Sequence, residues 1–91
     1  MRITLFSQWE CKTCVALKDL MTQENIKYKV IEVLKNKELW EEIRKEELKT
    51  NSNIMYTPTI LVEDKKNRIY IAAGRDFNTP DEALLELKQY L

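Results

Sequence analysis

The chain has 91 residues, too few for two stable cores, so a single domain over 1–91 is expected. Its 44% apolar content, with 15 basic residues against 15 acidic, is that of a folded chain and not of a disordered one. The zero net charge lacks the basic excess of a nucleic-acid binder, no run is long enough to span a bilayer, and the N-terminus carries no secretory pattern. The expectation is a cytoplasmic monomer with neither nucleic-acid nor membrane partners.

In chain order, residues 2–6 read as a short buried strand, and 12–24 as a helix with Leu17, Leu20 and Met21 on one face. Residues 26–33 alternate as a strand, with Ile26, Tyr28 and Val30 pointing one way before the pattern slips at Ile31. A second helix over 37–49 turns Leu39, Trp40, Ile43 and Leu48 inward and leaves a charged, solvated face; polar loop follows over 50–53. Strands at 58–62 and 68–73 flank a five-residue polar turn, the spacing of a hairpin. The last helix starts with Thr79 as N-cap, Pro80 in first position and Glu82 completing a capping box, and Leu84, Leu87 and Leu91 line one face. The order β-α-β-α-β-β-α fits an α/β fold, a four-stranded mixed sheet flanked by three helices.

The two cysteines, Cys11 and Cys14, lie three apart where the first strand gives way to the first helix. A sulfur at a helix start meets unpaired amides, here those of Thr13 and Cys14, and the positive end of the helix dipole. Both favour thiolate over thiol and lower the pKa of Cys11 below the ordinary value of about 8.5. Lys12 acts in the same direction and Glu10 against it, with solvent screening both. The chain has no histidine, so no imidazole base is available. Cys14, one turn on and sharing a face with Leu17 and Met21, should be the more buried and less reactive. These positions assign Cys11 as nucleophile and Cys14 as the thiol that resolves a mixed disulfide. The competing readings are a metal or cluster shared across a dimer, since one chain supplies only two thiols, and an inert pair. No metal site is expected within the chain. Pro58 reads either as a strand-start proline or as part of a cis Thr57–Pro58 bond. Trp9 and Tyr56 read either as an apolar lip by the cysteines or as aromatics closing the core.

With Cys11-Lys12-Thr13-Cys14, the later Thr57-Pro58 and this element order, the whole chain resembles the glutaredoxins of the thioredoxin-fold superfamily. The resemblance implies a thioredoxin-like fold and a cis Thr57–Pro58 bond facing the sulfurs, with Thr57 offering backbone groups to an extended substrate. It further implies a glutathione-binding segment before the last helix. Gly74 supplies the unusual backbone angle there, Asp76 accepts the ligand's amino group and Arg75 meets a carboxylate; otherwise Arg75 and Asp76 are a loop ion pair. The family's Cys-Pro-Tyr-Cys is Cys-Lys-Thr-Cys here. Its lysine three residues before the first cysteine is Gln8, with Lys12 a candidate replacement, and its first loop glycine is Ala73. The implied activity is dithiol–disulfide exchange on protein disulfides or glutathione mixed disulfides, with ribonucleotide reductase a candidate acceptor. It needs no cofactor; glutathione is co-substrate, or a thioredoxin reductase is the electron source. The rival is a dimer holding an iron–sulfur cluster through Cys11.

Overall fold

Four strands make one sheet in the order β2-β1-β3-β4, with β1 at Arg2–Ser7, β2 at Lys29–Glu32, β3 at Tyr56–Glu63 and β4 at Arg68–Ala73. The computed structural model describes residues 1–50 and 56–91, with 48–50 described by backbone alone. Strands β1 and β2 are parallel and joined through helix α1 (Lys12–Gln23); β3 runs antiparallel to both β1 and β4. Helix α2 (Lys37–Thr50) precedes β3, and α3 (Pro80–Lys88) closes the chain.

The central strands β1 and β3 are buried on both faces, and the two-residue period divides the core. Ile3 and Leu5 of β1, Ile60 and Val62 of β3, and Ile71 of β4 pack with Leu17 and Met21 of α1 and with Ala83 and Leu87 of α3. The alternate residues Phe6, Leu61 and Ala72 pack on the other face with Val33 and Ile43, against which Trp40 rests. Helices α1 and α3 therefore cover one face and α2 the other, which is the thioredoxin-like arrangement.

The central elements fall where expected, and the departures have local causes. Strand β2 is shorter than 26–33. The Ile26 amide bonds back to Met21 O, which closes α1, and Val33 enters a 3-10 turn, Val33–Lys35. Ile26 and Tyr28 pack on the α1/α3 face and Ile31 on the α2 face, while Val30, expected to point with Ile26 and Tyr28, is exposed on the edge strand. Leu39 and Leu91, both expected inward, are exposed: α2 buries the stripe through Trp40 and Ile43, and α3 ends at Lys88. The inward turn of Leu48 and the loop over 51–53 lie outside the described residues. The capping box at Thr79 forms, with Glu82 N donating to Thr79 Oγ1 (3.2 Å) and Thr79 N to Glu82 Oε1 (3.1 Å).

Candidate active site around Cys11 and Cys14

Four separate segments meet at one end of the sheet. The end of β1 leads into Gln8–Cys11. The register pairing Phe6 with Thr59 brings the start of β3 beside that exit, and the pairing of Tyr56 with Ala73 brings the end of β4 to the same edge. Parallel pairing puts the end of β2 there as well, with Ser7 opposite Glu32. Side chains then fasten the loop. Glu32 Oε1 accepts from the Trp9 amide (3.2 Å) and from Leu34 N (3.2 Å). Thr57 Oγ1 donates to Gln8 Oε1 (3.3 Å), and Cys11 N donates to Gln8 O (3.2 Å). Gln8 thereby touches both the cysteine turn and the segment that follows α2.

Cys11 is the N-cap of α1, with extended backbone angles and its sulfur accepting the Cys14 amide at 3.1 Å. A serine or aspartate oxygen usually fills this role; here a sulfur satisfies one of the helix's orphan donors. Of the two amides named from the sequence, Cys14 donates to the sulfur. Cys11 is partly exposed, whereas Cys14 is 1% exposed on the stripe with Leu17 and Met21. The two form a disulfide with Cα atoms 5.2 Å apart, inside the span such a bond tolerates. No acidic residue lies in the first turn of α1, so no carboxylate there opposes a negative sulfur. Lys12 is exposed on that turn.

The Thr57–Pro58 peptide bond is cis, and Pro58 is fully buried. Thr57 and Pro58 bulge out of the ladder: β3 advances from Tyr56 to Thr59 while β4 moves back only from Ala73 to Ala72. Trp9, 73% exposed, and Tyr56 stand outside the core at this end of the molecule. Of their two readings, closing the core is the one the structure removes.

Gly74, the only glycine, has φ 84°, a left-handed angle that a Cβ resists. It opens a tight turn in which Gly74 N bonds Phe77 O (2.9 Å). Arg75 and Asp76 are bound to the protein itself. Asp76 Oδ2 accepts from Ala72 N (2.8 Å) and from Arg75 Nε (3.0 Å). Arg75, its side chain 11% exposed, also pairs with Glu47 (3.1 Å) and donates to Tyr70 O. The loop ion pair is therefore present, and more enclosed than a solvated pair. Tyr70 and Ala72 belong to the edge strand β4, so the pair also covers that strand's open hydrogen-bonding groups. Among the described residues no cluster of histidine, cysteine or carboxylate side chains is fit to hold a metal ion, and no helix is long and apolar enough to cross a membrane.

Two contributors were not singled out in the sequence. Glu32 fastens the loop before Cys11, and a glutamate ending a strand carries no recognisable signal for that. Thr59 donates its hydroxyl to Tyr56 O (2.7 Å), a bond that spans the bulge.

Solved structures similar to this chain include the glutaredoxin-like protein NrdH-redoxin from Escherichia coli, at 22% identity over 93% of both chains with a TM-score of 0.65. The thioredoxin-like protein BC3987 (20% identity, 99% of this chain and 100% of that one, TM-score 0.58) and thioredoxin 1 from Thermosipho africanus (20%, 99% and 93%, 0.58) are also similar. At these identities they share the fold. No curated protein matches the chain closely enough to count as a relative. The glutaredoxin family model matches residues 3–66, more than half of the chain. That stretch runs from β1 to the hairpin turn and takes in both the cysteine pair and the cis proline, so the chain belongs to the glutaredoxin family.

Proposed function

We propose that this protein is a dithiol–disulfide oxidoreductase that reduces protein disulfides and draws its electrons from a thioredoxin reductase rather than from glutathione. The observation that carries the exchange chemistry is the placement of the Cys11 sulfur. It caps α1 and accepts the Cys14 amide, with Cys14 buried behind it within bonding reach. In the reduced protein the same amide and the helix dipole face a thiolate and stabilise it.

The steps follow from this geometry. The Cys11 thiolate attacks one sulfur of the substrate disulfide; a Cys11–substrate disulfide forms, and the other substrate sulfur leaves as a thiolate that takes up a proton. Cys14, losing its proton, attacks Cys11 Sγ, forms the Cys11–Cys14 disulfide and releases the second substrate thiol. Two electrons have then passed from protein to substrate, with one proton from Cys14 and the other from solvent. A dithiol reductant reverses both steps on the protein, and no cofactor takes part.

Two features support the choice of reductant. Arg75 and Asp76, the residues that a glutathione site would call on, satisfy one another, Glu47 and the β4 edge. Gln8 stands where the family has a lysine, and it bridges Thr57 instead of offering a cation. The similar NrdH-redoxin is described as having a thioredoxin-like activity profile, and we extend that profile to this chain. The test is turnover of a protein disulfide under two supplies, thioredoxin reductase with NADPH against glutathione, glutathione reductase and NADPH. The first is expected to sustain turnover at least about tenfold faster. A faster glutathione arm contradicts the choice of reductant, and inactivity in both contradicts the oxidoreductase reading.

A further inference from the structure

We infer that the buried hydroxyl of Thr59 is a positioning group that sets the Thr57 backbone for an extended peptide substrate; the inference rests on the disulfide-exchange reading above. The register leaves Thr57 and Pro58 without partners: the pairs Tyr56–Ala73 and Thr59–Ala72 flank them on β4, and pairing to β1 stops at Phe6–Thr59. A segment released from its ladder keeps backbone groups free to bind another chain, but it also loses the bonds that would hold its peptide planes. Here Thr59, 0% exposed, donates Oγ1 to Tyr56 O at 2.7 Å. That carbonyl belongs to the Tyr56–Thr57 peptide, whose other polar group is the Thr57 N–H. A peptide group is planar, so fixing the carbonyl fixes the direction of the N–H. The Thr57 side chain is tied separately to Gln8, which links the same segment to the loop carrying Cys11. Thr59 therefore acts through the Thr57 amide and touches no substrate itself. Its effect belongs to substrates that have a peptide backbone to align, and is absent for small disulfides that have none.

The test compares two substrates, a disulfide-linked extended peptide and hydroxyethyl disulfide, with wild type, Thr59→Val and Thr59→Ser. Thr59→Val keeps the shape and removes the hydroxyl; it is expected to raise KM for the peptide roughly three- to tenfold, the span of one hydrogen bond, with kcat little changed. Turnover of hydroxyethyl disulfide is expected to stay within about twofold of wild type, and Thr59→Ser to restore the peptide KM. Thr59→Ala removes the same hydroxyl without a replacing methyl and takes the place of Thr59→Val if that variant does not fold. An equal loss on both substrates, an unchanged peptide KM, or failure of the serine to rescue would overturn the assignment. If wild type itself reduces neither disulfide, the exchange reading fails; if it reduces both and the variants do not separate them, only the role of Thr59 fails.

Discussion

Cys11 and Cys14 share a chemistry and differ in surroundings, and that difference assigns their roles. One sulfur caps a helix at the surface; the other belongs to a residue 1% exposed on the buried stripe that continues through Leu17 and Met21. Cys11→Ser is expected to abolish disulfide reduction. Cys14→Ser is expected to accumulate a stable adduct with the substrate thiol, visible as a mass increase that dithiothreitol reverses. A trapped adduct on Cys14 in the Cys11→Ser protein instead would reverse the order of attack. The spacing of the pair and its place at a helix start were legible in the sequence because capping is local chemistry. The engagement of Arg75 and Asp76 was legible only as one of two options. Choosing between them needed Glu47, which the fold brings to Arg75 from far away in sequence, and the nearby β4 edge.

Local signals marked the elements well wherever a cap or turn residue was decisive. The start of α3 is the clearest instance: Thr79, Pro80 and Glu82 announced the helix, and the bonds formed as expected. Thr79→Ala should destabilise the protein by about 1 kcal/mol and Thr79→Ser by much less, as measured by denaturant titration. The hairpin between β3 and β4 is held by Asp64, which accepts the amides of Lys66 (2.9 Å) and Asn67 (2.8 Å). Those two amides, Lys66 first, hold its carboxyl below the ordinary value of 3.8. A carboxyl depressed in the folded state stabilises it fully above the unfolded value, and that stabilisation disappears as pH falls through the folded value. The melting temperature of wild type should therefore exceed that of Asp64→Asn at neutral pH, and the gap should close as pH drops below 3.8. Strand β2 was the least legible element. Its alternation ran past both ends because Ile26 and Val33, apolar and inward, belong to the turns that flank it.

The molecule as a whole is a sheet whose central strands β1 and β3 are buried on both faces and read as near-continuous apolar runs for that reason, while the edge strand β2 does not. Ile60→Ala, at a fully buried site on the α1/α3 face, should cost about 2–5 kcal/mol, while Val30→Ala, at a site 43% exposed, should stay within about 0.5 kcal/mol. Equal costs would contradict the division of the strands into core and edge. Topology followed from the sequence because a βαβ unit and a hairpin leave few ways to build one sheet. The bulge at Thr57–Pro58 did not, because it is set by the register of β3 against both its neighbours. At this scale the sheet's function is to bring four strand ends together, around a sulfur that caps a helix. The most direct measurement is the ionisation of that sulfur in the reduced protein, followed as the pH dependence of iodoacetamide alkylation with each cysteine resolved by mass. Cys11 is expected to be alkylated well below pH 8, following a pKa depressed from the free-thiol value of about 8.5, while Cys14 reacts slowly. Equal, slow labelling of both cysteines, with Cys11 titrating like a free thiol, would contradict it.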